Sequence, residues 1–77
     1  MRLVEAIGKR VEKLLQQHEL KQNQLASKGG MCPSTLSLIV RVKRNEIGVG
    51  KIYQICDTLG ITLKDFFDDP IFAEVND

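Results

Sequence analysis

With 77 residues the chain has room for one domain and one small hydrophobic core, too little to enclose a large catalytic cleft. Apolar residues make up 43%, without a low-complexity tract or Gly/Ser linker, which excludes a disordered chain. The net charge of +1 hides an asymmetry, because residues 1–45 carry nine Lys/Arg against three acids and residues 46–77 carry two against seven, so one face suits a polyanion and the other does not.

Leu3, Ile7, Val11, Leu14 and Leu15 recur at three- and four-residue steps and predict an amphipathic helix from Leu3 to His18, with Lys9, Arg10 and Lys13 on its outer side. The opening MRLVEAIGKR lacks the apolar centre of a signal peptide, so a cytoplasmic location is expected. A second, short helix is predicted over Gln22–Lys28, with Leu25 and Ala26 inward. Lys21 is a poor N-cap, although Gln24 is placed to reach back to it, and Gly29–Gly30 ends the helix by offering a left-handed residue.

Pro33 suits the first turn of a third helix, where its missing N–H would have no partner. That helix is predicted from Pro33 to about Val42, with Leu36 and Ile39 inward and Ser34, Thr35, Ser37, Leu38 and Arg41 on the remaining surface. The longest apolar stretch of the chain, Leu36 to Val42, falls here and is broken by Ser37 and Arg41, far short of the roughly 20 residues that span a membrane. Lys43 to Gly48 reads as a loop. A fourth helix, Val49–Leu59, places Val49, Ile52, Ile55, Cys56 and Leu59 on one side, and Gly60 stops it. Thr62 and Asp65 form a T-x-x-D capping box for a fifth helix carrying Leu63, Phe66 and Phe67, which Pro70 ends. The expected architecture is all-α: a single domain over 1–77, with a helical core to residue 69 and a short apolar and acidic tail over 70–77.

No cofactor, metal or small-molecule site is expected. Cys32 and Cys56 are too few for a disulfide framework, and the lone His18 cannot complete a zinc site. Asp68-Asp69 is the one close carboxylate pair, and neighbours on a helix point apart, so a helix-end role is expected rather than catalysis.

The stretch GGMCPSTLSLIVRVKR, Gly29 to Arg44, is the informative one: a tight turn, a helix with an apolar side and a hydroxyl side, then cations. Together with Ile7-Gly8-Lys9-Arg10-Val11, Leu20-x-Gln22-x-x-Leu25-Ala26-x-x-x-Gly30, Ser34-Thr35-Leu36-Ser37-x-Ile39 and Ile55-x-x-x-Leu59-Gly60-Ile61-Thr62-Leu63-x-x-Phe66-Phe67, it resembles the phage-repressor and Cro-like helix-turn-helix domains of the XRE family. The resemblance covers Ile7 to Phe67. It implies a five-helix, lambda-repressor-like DNA-binding domain whose second and third helices form the helix-turn-helix, acting as a transcriptional regulator and repressor, as a homodimer on double-stranded DNA.

A helix that enters the major groove must protrude while its inner side is anchored, and Leu36 and Ile39 supply the anchor. Ser34, Ser37 and Leu38 would then face base edges, with Pro33 beside them. By resemblance, Gln22 touches phosphate or supports a base contact, and Thr35, Arg41, Lys43, Arg44 and Asn45 meet phosphates. The dimer contact is expected at Phe67, Ile71, Phe72 and Val75, the alternative for Phe72 being a return onto the first helix.

Several positions depart from the family pattern. Pro33 and Leu38 stand where hydrogen-bonding side chains are common, which predicts modest specificity. Val42 replaces the glycine that usually closes the recognition helix, and the loop behind it is one residue longer than usual. Leu15 and Val40 stand where the family pairs an Arg with a Glu, and the two are expected to touch as an apolar replacement. A second reading is a protein-interaction module, antitoxin-like or anti-repressor, whose apolar tail grips a partner while DNA binding is weak or lost.

Overall fold

The computed structural model describes residues 1–77 as α1 (Leu3–Gln17), α2 (Gln22–Gly29), α3 (Pro33–Val40), α4 (Val49–Leu59), α5 (Leu63–Phe67) and a closing 3-10 turn (Pro70–Glu74). The architecture is all-helical, as expected. Several starts use local chemistry visible in the sequence, whereas α4 opens on Gly48 without a side-chain cap. Gln24 Oε1 accepts from Lys21 N at 2.8 Å, giving α2 half of a capping box. Thr62 and Asp65 make the reciprocal pair at α5, Asp65 N to Thr62 Oγ1 at 3.0 Å and Thr62 N to Asp65 Oδ2 at 3.3 Å.

The four longer helices end alike, with the chain turning through a left-handed residue whose successor donates back to the helix. Leu20 N reaches Leu15 O at 2.9 Å, Met31 N reaches Ala26 O at 3.0 Å, Lys43 N reaches Leu38 O at 3.0 Å and Ile61 N reaches Cys56 O at 3.0 Å. Two of the left-handed residues are Gly30 and Gly60, and the other two are Glu19 at φ 54° and Val42 at φ 58°. α3 therefore stops at Val40, two residues before the expected end, and it stops sharply without the usual glycine. A β-branched residue in this region is strained by about 1–2 kcal/mol.

The core is one cluster drawn from every helix: Ile7, Val11, Leu14 and Leu15 of α1, Leu25 and Ala26 of α2, Leu36, Ile39 and Val40 of α3, Ile52, Ile55 and Cys56 of α4, and Phe66 of α5. Leu15 and Val40 are both buried within it, so no unpaired charge is left where the family's ion pair would lie. Two glycines permit close packing around the α2–α3 pair. A methyl on Gly8 would sit 2.9 Å from Ile39 O and 3.3 Å from Val40 O, so α1 carries the end of α3 directly on its backbone. A methyl on Gly29 would meet Thr58 Oγ1 at 2.7 Å, and Gln54 Nε2 donates to Gly29 O at 2.9 Å, which fixes the end of α2 on α4.

Three residues depart from their expected placement. Leu3 opens α1 and is 42% exposed, so the inward stripe begins after it. Val49 is 68% exposed, because α4 only begins there and its inward stripe starts at Ile52. Arg10, expected outside with Lys9 and Lys13, is buried at 8% exposure. Its Nε donates to Phe66 O at 2.7 Å and its Nη2 to Asp65 O at 2.9 Å, while Nη1 lies 3.4 Å from Asp69 Oδ2, so the guanidinium is compensated by the last carbonyls of α5.

The tail does not hang free. Asp69 accepts from Ile71 N at 2.9 Å and from Lys13 Nζ at 2.8 Å, which starts the 3-10 turn on the side of α1, the helix-end role expected for the carboxylate pair. Phe72 then returns to the core, its ring 5.0 Å from Phe67 and 6.1 Å from Phe66. Asn76 N closes the loop on Met1 O at 3.0 Å.

Candidate nucleic-acid interface

α3 is eight residues long and has one buried side, Leu36, Ile39 and Val40. Pro33 and Ser34 at its start are exposed, and Thr35, Ser37 and Leu38 are half-buried along its outer edge. Pro33 occupies the first turn, as expected. Cys32 precedes it in extended conformation, its Sγ 2.9 Å from Ser34 Oγ. The Ser34 hydroxyl, then the backbone N–H groups of Ser34 and Thr35, hold the Cys32 thiol below its usual pKa, with a smaller push from Lys51. Cys56 is the opposite case, a buried core thiol pushed up by desolvation.

The residues named from the sequence for DNA contact fall in two consecutive groups. Pro33, Ser34, Thr35, Ser37 and Leu38 form the edge of α3, and Arg41, Lys43, Arg44 and Asn45 follow in the exposed segment behind it. Gln22, half-buried, opens α2, whose far end the turn at Gly30 joins to α3. None of Arg41, Lys43 and Arg44 is in an ion pair, since both salt bridges of the chain belong to Asp69. A cleft of about 100 Å³ opens beside α3, lined by Thr35, Arg44, Glu46 and Lys51.

Sequence reasoning passed over two cations of this region. Lys51 lies on the α4 face between the core stripe and Gln54, and so turns toward Thr35 and Arg44. Arg2 precedes α1, and its Nη2 donates to Asn45 Oδ1 at 3.2 Å across a sequence separation of 43 residues. No periodicity signals that contact.

The residues named for a dimer contact divide. Phe67 is 40% exposed, whereas Ile71, Phe72 and Val75 are half-buried by the return of the tail. Leu63, one turn before Phe67, is 37% exposed and lines a shallow hollow with Lys64, Phe67 and Asp68.

The geometry agrees with what is known of other chains. The family model for the Cro/C1-type helix-turn-helix DNA-binding domain matches residues 10–70. The solved crystal structure of the prophage Lp1 protein 11 superposes with a TM-score of 0.83 at 30% sequence identity, over 97% of this chain and 100% of that one. No curated protein matches the chain. A matched segment running from Arg10 to Pro70, with α2 and α3 set as a helix-turn-helix and the same fold in a prophage protein, places this chain in the family of Cro/C1-type helix-turn-helix DNA-binding domains.

Proposed function

We propose that this DNA-binding regulator is a transcriptional repressor that occludes an operator by laying α3 in the major groove, as a homodimer with two copies of α3 one DNA turn, about 34 Å, apart. The observation that carries the reading is the outer edge of α3 itself: Pro33, Ser34, Thr35, Ser37 and Leu38 share it, and unpaired Arg41, Lys43 and Arg44 follow at once. The cations supply affinity for phosphate without sequence information. Ser34 and Ser37 accept or donate to more than one base, and Leu38 suits a thymine methyl group, so specificity is modest.

Exposed Leu63 and Phe67, one turn apart on α5, support the dimer, with half-buried Ile71, Phe72 and Val75 alongside. The same apolar pair favours the second reading, in which a different protein docks there and DNA binding is secondary. Selection of bound sequences from a random duplex pool, followed by footprinting, tests the first reading. An enriched palindrome supports it, and a pool that stays unenriched overturns it. Light scattering on the purified chain tests the dimer, which a strict monomer at high concentration excludes.

A further inference from the structure

Arg2 lies outside the helix-turn-helix, yet its guanidinium is bonded to the segment that closes it. Asn45 Oδ1 accepts from Arg2 Nη2 at 3.2 Å, and Asn45 directly follows the exposed cations Lys43 and Arg44. Two acids near Arg2, Glu5 and Asp77, are occupied elsewhere, while Glu46 lies beside Asn45 outside any ion pair. Glu5 Oε1 accepts from Arg2 N at 3.3 Å and Asp77 Oδ1 accepts from Leu3 N at 3.0 Å, so both carboxylates serve the backbone at the start of α1. Arg2 is in no ion pair. One of its donors is spent on a neutral amide, and the rest of its fork faces outward with full charge. Asn45 uses its oxygen to hold the guanidinium, which leaves its NH2 as a further donor beside it.

We propose that Arg2, held by Asn45, contacts a backbone phosphate of bound DNA and extends the interface from the helix-turn-helix to the start of α1. The inference rests on the DNA-binding reading above. A guanidinium suits the task because it meets two phosphate oxygens with parallel N–H groups, and one already braced by a neighbour loses less freedom on binding. The contact is to phosphate and not to a base, so it strengthens binding to every sequence equally.

The test uses fluorescence anisotropy of a labelled 20-base-pair duplex of random sequence, titrated with the full chain across roughly 50–200 mM salt, where phosphate contacts dominate. Arg2→Gln keeps a donor for Asn45 and removes the charge, Arg2→Lys keeps the charge, and Arg44→Ala reports on the underlying reading. Arg2→Gln is expected to lower the slope of log affinity against log salt by about 0.9 and to weaken binding by about 8-fold at 0.1 M, with Arg2→Lys retaining the slope. Urea midpoints for all variants check that the fold is intact. The inference is overturned if Arg44→Ala lowers the slope while Arg2→Gln matches the parent chain, or if Arg2→Gln weakens binding at unchanged slope, which marks a purely structural role. If the parent chain shows no salt-dependent duplex binding, the DNA reading itself fails and takes the inference with it.

Discussion

Arg10 Nε and the carbonyl oxygen of Phe66 lie 2.7 Å apart, so a buried cation on α1 holds the C-terminal end of α5. A helix of five residues cannot persist unaided. This one side chain donates to Phe66 O and Asp65 O, the latter shared with Asp68 N at 3.3 Å, and Asp69 joins from the other side at 3.4 Å.

Arg10→Met should therefore destabilise the fold by about 2–3 kcal/mol, because it strands the Phe66 carbonyl, leaves the Asp65 carbonyl with the Asp68 N–H alone and leaves Asp69 with Lys13 as its one cation. Urea unfolding monitored by circular dichroism measures the loss. A midpoint unchanged from the parent would show that the carbonyls are served by water.

Stability should fall in acid, and Asp69 should account for part of it. The Lys13 ammonium, then the Ile71 N–H, with a further contribution from the charge of Arg10, hold this carboxyl below its ordinary value of 3.8. A folded-state pKa below the unfolded one means that the contribution is complete above about pH 4 and is lost as the pH falls through the folded value. Asp69→Asn should flatten the stability curve in that window and leave its shape near neutrality unaltered. Denaturation at a series of pH values from 2 to 7 checks the difference between the two chains.

Val42 isolates the backbone strain when two truncations are compared. Val42→Gly and Val42→Ala both lose the methyl that approaches Gly8. Glycine also removes strain of about 1–2 kcal/mol at φ 58°, against roughly 0.5–1 kcal/mol for the freer unfolded chain, so Val42→Gly should be the more stable of the two by up to about 1.5 kcal/mol. Thermal melts should place Val42→Ala below Val42→Gly, and the reverse order would contradict strain at this position.

Gly8→Ala should destabilise although alanine is the better helix former by about 1 kcal/mol, since the new methyl would press on Ile39 O at 2.9 Å. Separating α1 from α3 to relieve that contact costs about 1–3 kcal/mol. The same displacement shifts the outer edge of α3, so DNA affinity should fall as well, and a stabilised, fully binding Gly8→Ala chain would contradict the close approach.

Substitutions on the DNA side should separate affinity from preference. Arg44→Ala is expected to weaken all duplexes alike and to lower the salt slope by about 1, whereas changes at Ser34 or Leu38 should alter which sequence is favoured by about 1–3 kcal/mol per base pair. Competition titrations with two unrelated duplexes distinguish the outcomes.

Much of the fold could be read from periodicity and punctuation. The stripe Ile7, Val11, Leu14 and Leu15, the proline opening α3, the capping box at Thr62 and the stops at Gly30 and Gly60 all stand as read. These signals are local, and each states which side of a helix is dry. Arg10 was misplaced because its type argues for solvent, while the carbonyls that make its burial tolerable come from a helix more than 50 residues away. The early end of α3 was hidden because valine is a poor left-handed residue, and only packing against Gly8 and the carbonyl of Leu38 selects that turn. The outer edge of α3 was legible, since proline position and hydroxyl spacing are sequence facts. Lys51 and Arg2 were not, because they reach that side through tertiary placement.

Gly8 and Arg10 stand two residues apart on one helix. The first is the seat on which the tip of α3 rests, and the second is the peg that fastens α5. A single helix thus sets the distance between the end of α3 and the end of α5. Insertions in the connecting segments can lengthen the path of the chain without altering that span, which is inherited from α1.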